Sequence, residues 1–127
     1  MQEKTLLSSS LLPLGFQYPG QLKRLVEIEA LEFEPWTILT GDRLQQKFEG
    51  IKQRYPQRNL VPFAMREDLD DVACFDVQNS NYICIIHDYA SPGWEQNNKR
   101  IYLTFHEWLR DAFEHFLERG DWEADIY

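Results

Sequence analysis

The sequence predicts a single α+β domain, on three observations. The apolar runs VACFDV (72–77) and YICIIHDY (82–89) are separated by the turn-forming QNSN, the strongest hairpin pattern in the chain. Two stretches, ending near Arg54 and running from Phe105 to Leu117, carry apolar residues at helical spacing. The chain has 127 residues and 43% hydrophobic residues, which suits one core and argues against disorder.

The elements follow in order. Residues 1–11 read as a loosely held arm, and YPGQLKRLVEIEAL (18–31) as a helix with Pro19 near its first turn. PWTIL (35–39) suits a strand at a sheet edge, because Pro35 cannot donate to a ladder. Thr40 to Asp42 offer caps for a helix that places Leu44, Phe48, Ile51 and Tyr55 on one side and Arg43, Lys47, Lys52 and Arg54 on the other. Pro56 ends it. NLVPFAM (59–65) is a short strand that Pro62 assigns to an edge or an irregular site. A tight turn at Asn79-Ser80 would pair Val77 with Tyr82 and Phe75 with Cys84, and set Asp71 opposite Asp88. Cys74 and Cys84 would then lie on opposite faces, unable to bridge. Residues 90–100 read as a loop and 101–103 as a short strand. Thr104 and Glu107 form a capping box, with Leu103 and Trp108 at the staple positions. Phe105, Trp108, Leu109, Ala112, Phe113, Phe116 and Leu117 give a continuous stripe, and Gly120 reads as its stop.

Charge narrows the function. The formal net charge is −8, from 21 acids and 13 bases, which opposes general affinity for nucleic-acid phosphates or anionic membranes. Its distribution is uneven: residues 42–58 hold five bases and two acids, whereas residues 66–95 hold seven acids and one base. Residues 6–16 mimic a signal core, but Glu3 precedes them and no clear cleavage site follows, so a cytoplasmic protein is expected. No apolar run reaches the length of a membrane helix.

The stretch DLDDVACFD (68–76) concentrates four aspartates around an apolar strand. As a calcium loop it fails at Val72, and Ala73 stands where glycine is required. Asp70, Asp71 and Asp88 form a looser candidate for a magnesium site and hence for a small metal-dependent hydrolase. HEWLR (106–110) lacks the second histidine of a zinc helix, because Arg110 stands there. His87 and Asp88 are adjacent on a strand, so their side chains diverge. With no phosphate loop and no CxxC pair, the expectation is a non-enzyme without cofactor or metal. Trp94, in a polar glycine-containing loop beside Glu95, is either a lid on the sheet or an exposed anchor for a protein partner.

Pro62-Phe63-Ala64, the acidic turn Asp68 to Asp71, Cys74-Phe75-Asp76, the helix opening Phe105 to Leu109, and LPLGFQYP at 12–19 together resemble the SUKH superfamily. That group includes yeast cell-wall synthesis regulators and bacterial toxin-immunity proteins. The similarity spans most of residues 12–118. A glycine usual in the acidic turn is replaced around Leu69. The resemblance implies a twisted, mostly antiparallel sheet packed with helices. It also implies a non-enzymatic role, neutralising a toxin such as a nuclease domain, or serving as a regulatory adaptor without a toxin. On the first reading the partner is a basic toxin domain, and Asp68, Asp70, Asp71, Asp88, Trp94 and Glu95 form the partner surface.

Overall fold

The computed structural model describes residues 5–96 and 101–126, with side chains described as far as Glu118. Its centre is a six-stranded, wholly antiparallel sheet in sequence order: β1 (Glu32–Phe33), β2 (Trp36–Ile38), β3 (Leu60–Arg66), β4 (Asp71–Asp76), β5 (Tyr82–His87) and β6 (Ile101–Tyr102). Three helices accompany it: α1 (Gly20–Glu27), α2 (Gly41–Arg54) and α3 (Phe105–Ile126). The chain is therefore the α+β domain its sequence predicts.

The central strands are apolar on both faces because both faces are covered. On β4 and β5, Ala73, Phe75, Ile83 and Ile85 face the main core with Phe16, Tyr18, Leu22, Phe105 and Trp108. Val72, Cys74, Cys84 and Ile86 face the other way, against Ile51 and Tyr55 of α2. Phe63 anchors the main core. Its ring lies 4.7 Å from Phe75, 4.8 Å from Trp108 and 5.4 Å from Phe105, centroid to centroid.

Several local expectations are corrected. The first helix stops at Glu27, four residues early, in a Schellman arrangement: the Ala30 amide donates to Leu25 and the Glu29 amide to Val26. Glu29, not glycine, holds the left-handed position, at φ 59°, so the usual sequence signal is missing. β2 is interior, between β1 and β3, and Pro35 stays outside the ladder in the preceding turn. Pro62 does mark an irregular site, because the β3–β4 register shifts between Pro62 and Ala64. Within the N-terminal arm Leu7 is buried, its amide donates to the Tyr18 hydroxyl at 3.3 Å, and the Gly41 amide donates to the Thr5 carbonyl at 2.8 Å, while Ser8 to Leu11 are exposed. Residues 1–4 of that arm, and residues 97–100 of the loop before β6, lie outside the described residues.

The β4–β5 hairpin is one residue out of the expected register. Asp76 pairs with Tyr82, Phe75 with Ile83, Cys74 with Cys84 and Asp71 with His87. The connection is longer than the tight turn expected, a 3-10 turn (Val77–Asn79) followed by Ser80 and Asn81, both left-handed. A one-residue slip inverts the facing of one strand relative to the other. Cys74 and Cys84 are thus direct partners on one face, not on opposite faces, and both are free thiols. The Asp88 amide donates to the Asp70 carbonyl at 2.9 Å, which fixes the phase of the ladder. By alternation Cys74 and Cys84 occupy a hydrogen-bonded pair, about 5.5 Å apart at Cα. A disulfide spans about 4.4–6.8 Å at Cα, so the pair is within bridging range, yet the two thiols are unbonded. Burial pushes the Cys84 thiol up to about 11, against the lowering effect of Arg58, and holds Cys74 well above its ordinary value.

The capping box of α3 forms with one change. The Glu107 amide donates to Thr104 Oγ1 at 3.2 Å, and the Glu107 carboxylate accepts from the Leu103 amide at 3.0 Å. Leu103 is exposed, so the expected staple with buried Trp108 is absent. The helical stripe is buried only through Ala112. Phe113 is 44% exposed, and Phe116 and Leu117 are also open; the Phe113 and Phe116 rings touch the core edge at Phe33. Gly120 does not stop the helix, which continues to Ile126.

Three outcomes follow from this packing. Trp108→Ala is expected to cost about 3–5 kcal/mol in a urea melt. Phe113→Ala, from a half-exposed site, is expected to cost about 1 kcal/mol. Near pH 8 a thiol reagent is expected to modify neither cysteine in the native protein and both after denaturation, counted by mass spectrometry.

Candidate functional site

The loops joining β3 to β4 and β5 to β6 leave the same end of the sheet and are bonded side by side. The Asp88 amide meets the Asp70 carbonyl across them, and the His87 amide at the end of β5 meets the Glu95 carbonyl within the second loop. Asp88 lies one hydrogen-bonded pair beyond Ile86, so its side chain turns to the α2 face. Lys47 and Arg54 are seven residues apart on α2, two turns along one face. They converge on this carboxylate, which is 1% exposed.

The Asp88 carboxylate is fully coordinated. Arg54 Nε donates to Oδ1 at 2.8 Å and Nη2 to Oδ2 at 2.7 Å, while Lys47 Nζ donates to Oδ2 at 3.0 Å. The Tyr89 amide adds a 2.8 Å bond to Oδ1. Burial alone raises a carboxyl pKa, but here the Arg54 and Lys47 bonds prevail and hold Asp88 below its ordinary value. Tyr89 has a left-handed backbone, φ 66°, unusual for a bulky residue. That backbone sets its 65%-exposed ring over Arg54 at 4.2 Å and Lys47 at 5.1 Å.

A second clamp closes the far side of the loop. Arg58 donates to Asp76 at 3.3 Å, Glu95 at 3.4 Å and Gln96 at 2.8 Å. Glu95 also accepts from the Gly93 amide at 2.6 Å. Asp76 accepts a further bond from Asn79 at 2.8 Å through Oδ2, while its buried Oδ1 has no hydrogen-bond partner among the described residues.

The structure divides the six residues assigned to a partner surface. Asp68 and Asp70 are exposed, and Trp94 is 69% exposed, so it is an open side chain and not a lid. Asp71 is half-buried, with Oδ1 3.2 Å from Nδ1 of His87, its direct strand partner. Asp68 is held by Arg66 through two bonds, at 2.8 and 2.9 Å. Asp88 and Glu95 are corrected: both are buried and engaged by internal cations, so neither is presented to a partner. The same finding disassembles the candidate magnesium site. Asp71 faces His87, not Asp88, and Asp88 lies beneath Lys47 and Arg54. Among the described residues no group of three His, Cys, Asp or Glu side chains converges as metal ligands.

The Lys47–Asp88–Arg54 network escaped sequence reasoning, although a signal for it existed. An aspartate directly after a two-sided apolar strand sits where burial is deep, and the seven-residue spacing of Lys47 and Arg54 marks one helical face. Nothing local joins those two facts.

Asp88→Asn leaves two part-buried cations under-compensated and is expected to cost about 2–3 kcal/mol in a chemical melt. The folded-state pKa of Asp88 lies below the unfolded one. Its stabilisation is therefore complete above the unfolded value of about 3.9 and is lost as pH falls through the folded value. The wild type is expected to lose its advantage over Asp88→Asn as melts are taken below about pH 4.

No family model, curated protein or solved structure matches this chain.

Proposed function

We propose that this chain is a non-enzymatic binding domain that neutralises a basic toxin domain, docking through the rim formed by the two bonded loops. One observation carries the reading: exposed Leu69, Tyr89 and Trp94 stand on the same loops as exposed Asp68 and Asp70. Large exposed apolar side chains beside charge are the composition of an interface, with aromatic anchors inside and a charged rim outside. The loops are held from below by Asp88 and Glu95, so their shape is set before a partner arrives, which limits the ordering cost of association. Net charge of −8 favours encounter with a cationic surface. The SUKH-like motifs at Pro62-Phe63-Ala64, Asp68 to Asp71 and Phe105 to Leu109 support the toxin-neutralising form of this reading.

The test is binding to cationic toxin domains encoded in the source cell. Trp94→Ala is expected to weaken the complex by at least about 2 kcal/mol, chiefly through faster dissociation. The triple change Asp68→Asn, Asp70→Asn, Asp71→Asn is expected to slow association and reduce its salt dependence. Surface plasmon resonance across a salt series reads both. Wild-type behaviour by both variants, or failure of every such domain to bind, would overturn the proposal.

A further inference from the structure

Beside the loop rim, the α2 surface holds a hollow of about 250 Å³ whose walls include Arg43, Lys47, Arg54, Leu39, Met65 and Tyr89. In a chain of net charge −8, the described residues that line it include three cations and no carboxylate. We infer that this hollow is a binding site for a phosphate dianion, presented as a phosphate monoester or as free phosphate.

Three features support the assignment. The first is charge balance. Asp88, beneath the hollow, offsets one of the three cations and leaves two positive charges. A phosphate monoester carries about −1.5 to −2 at neutral pH and matches that excess, whereas a carboxylate leaves one charge uncompensated. The second is preorganisation. Asp88 engages Nε and Nη2 of Arg54 and one proton of Lys47, so both cations are fixed and both retain further donors. Fixed donors bind an oxyanion without a new ordering cost. The third is Tyr89. Its unusual left-handed backbone holds the ring over both cations, walling one side of the hollow and shielding their charge from water. Arg43 is exposed, with its Nη2 resting 3.5 Å from Met65 Sδ, a weak acceptor that oxyanion oxygens readily replace. The inference does not depend on the toxin reading, since none of the three cations belongs to the acidic rim.

The test titrates inorganic phosphate, phenyl phosphate and benzoate into 15N-labelled protein at constant ionic strength. Saturable amide shifts are expected at one site, from Arg43 to Arg54 and at Tyr89, with phenyl phosphate binding about tenfold more tightly than benzoate. Arg43→Ala is expected to weaken phosphate binding about tenfold with an unchanged thermal melt, and Arg110→Ala on α3 to leave it unaltered. A short phosphoserine peptide separates the sources: tighter binding than phenyl phosphate assigns the site to a phosphorylated chain, and equal binding assigns it to a small solute. Unsaturable or scattered shifts, equal affinity for benzoate, or wild-type affinity in Arg43→Ala would each overturn the assignment.

Discussion

The buried carboxylate of Asp88 joins parts of the protein that are otherwise separate. It stands at the end of β5, receives Lys47 and Arg54 from α2, and caps the Tyr89 amide at the start of the following loop. A charge so deeply buried is tolerable only when fully bonded, and four donors meet that condition here. The network therefore sets the position of α2 over the sheet, the direction of the loop and the placement of Tyr89 together. Its cost in desolvation is exchanged for a unique arrangement of polar groups at one end of the sheet.

The same device, a cation placed among carboxylates, recurs with Arg58, which gathers Asp76, Glu95 and Gln96. Between them the two clamps neutralise the inner acids of the 66–95 stretch and leave the outer ones, with Leu69 and Trp94, at the surface. The acidic stretch is thus two populations with different physics. Asp76, Asp88 and Glu95 belong to the fold, and Asp68 and Asp70 to a surface. This separation gives the proposed partner rim rigid support.

Much of the architecture was legible in the sequence because it rests on local or periodic signals. The two-sided apolar runs of β4 and β5, the apolar face of α2 ended by Pro56, the irregularity at Pro62 and the Thr104–Glu107 cap all depend on residues close in the chain. Periodicity overreached in α3. Phe113, Phe116 and Leu117 continue the stripe, but the sheet beside them ends at the short strand β1, so there is too little surface to bury them.

The sequence by itself determined that the chain is an acidic α+β domain with a hairpin of two apolar strands and helices carrying an apolar face. Only the tertiary structure decided the hairpin register and, through it, the fate of individual side chains. The choice between a tight turn and the longer 77–81 connection is a difference of one residue. That residue moves Cys74 opposite Cys84, gives Asp71 to His87 and sends Asp88 toward α2. The partners of Asp88 lie 41 and 34 residues away. Electrostatic pairing over such separations has no period and no local motif. It comes into existence when folding excludes water from the carboxylate and leaves Lys47 and Arg54 as the groups able to replace it.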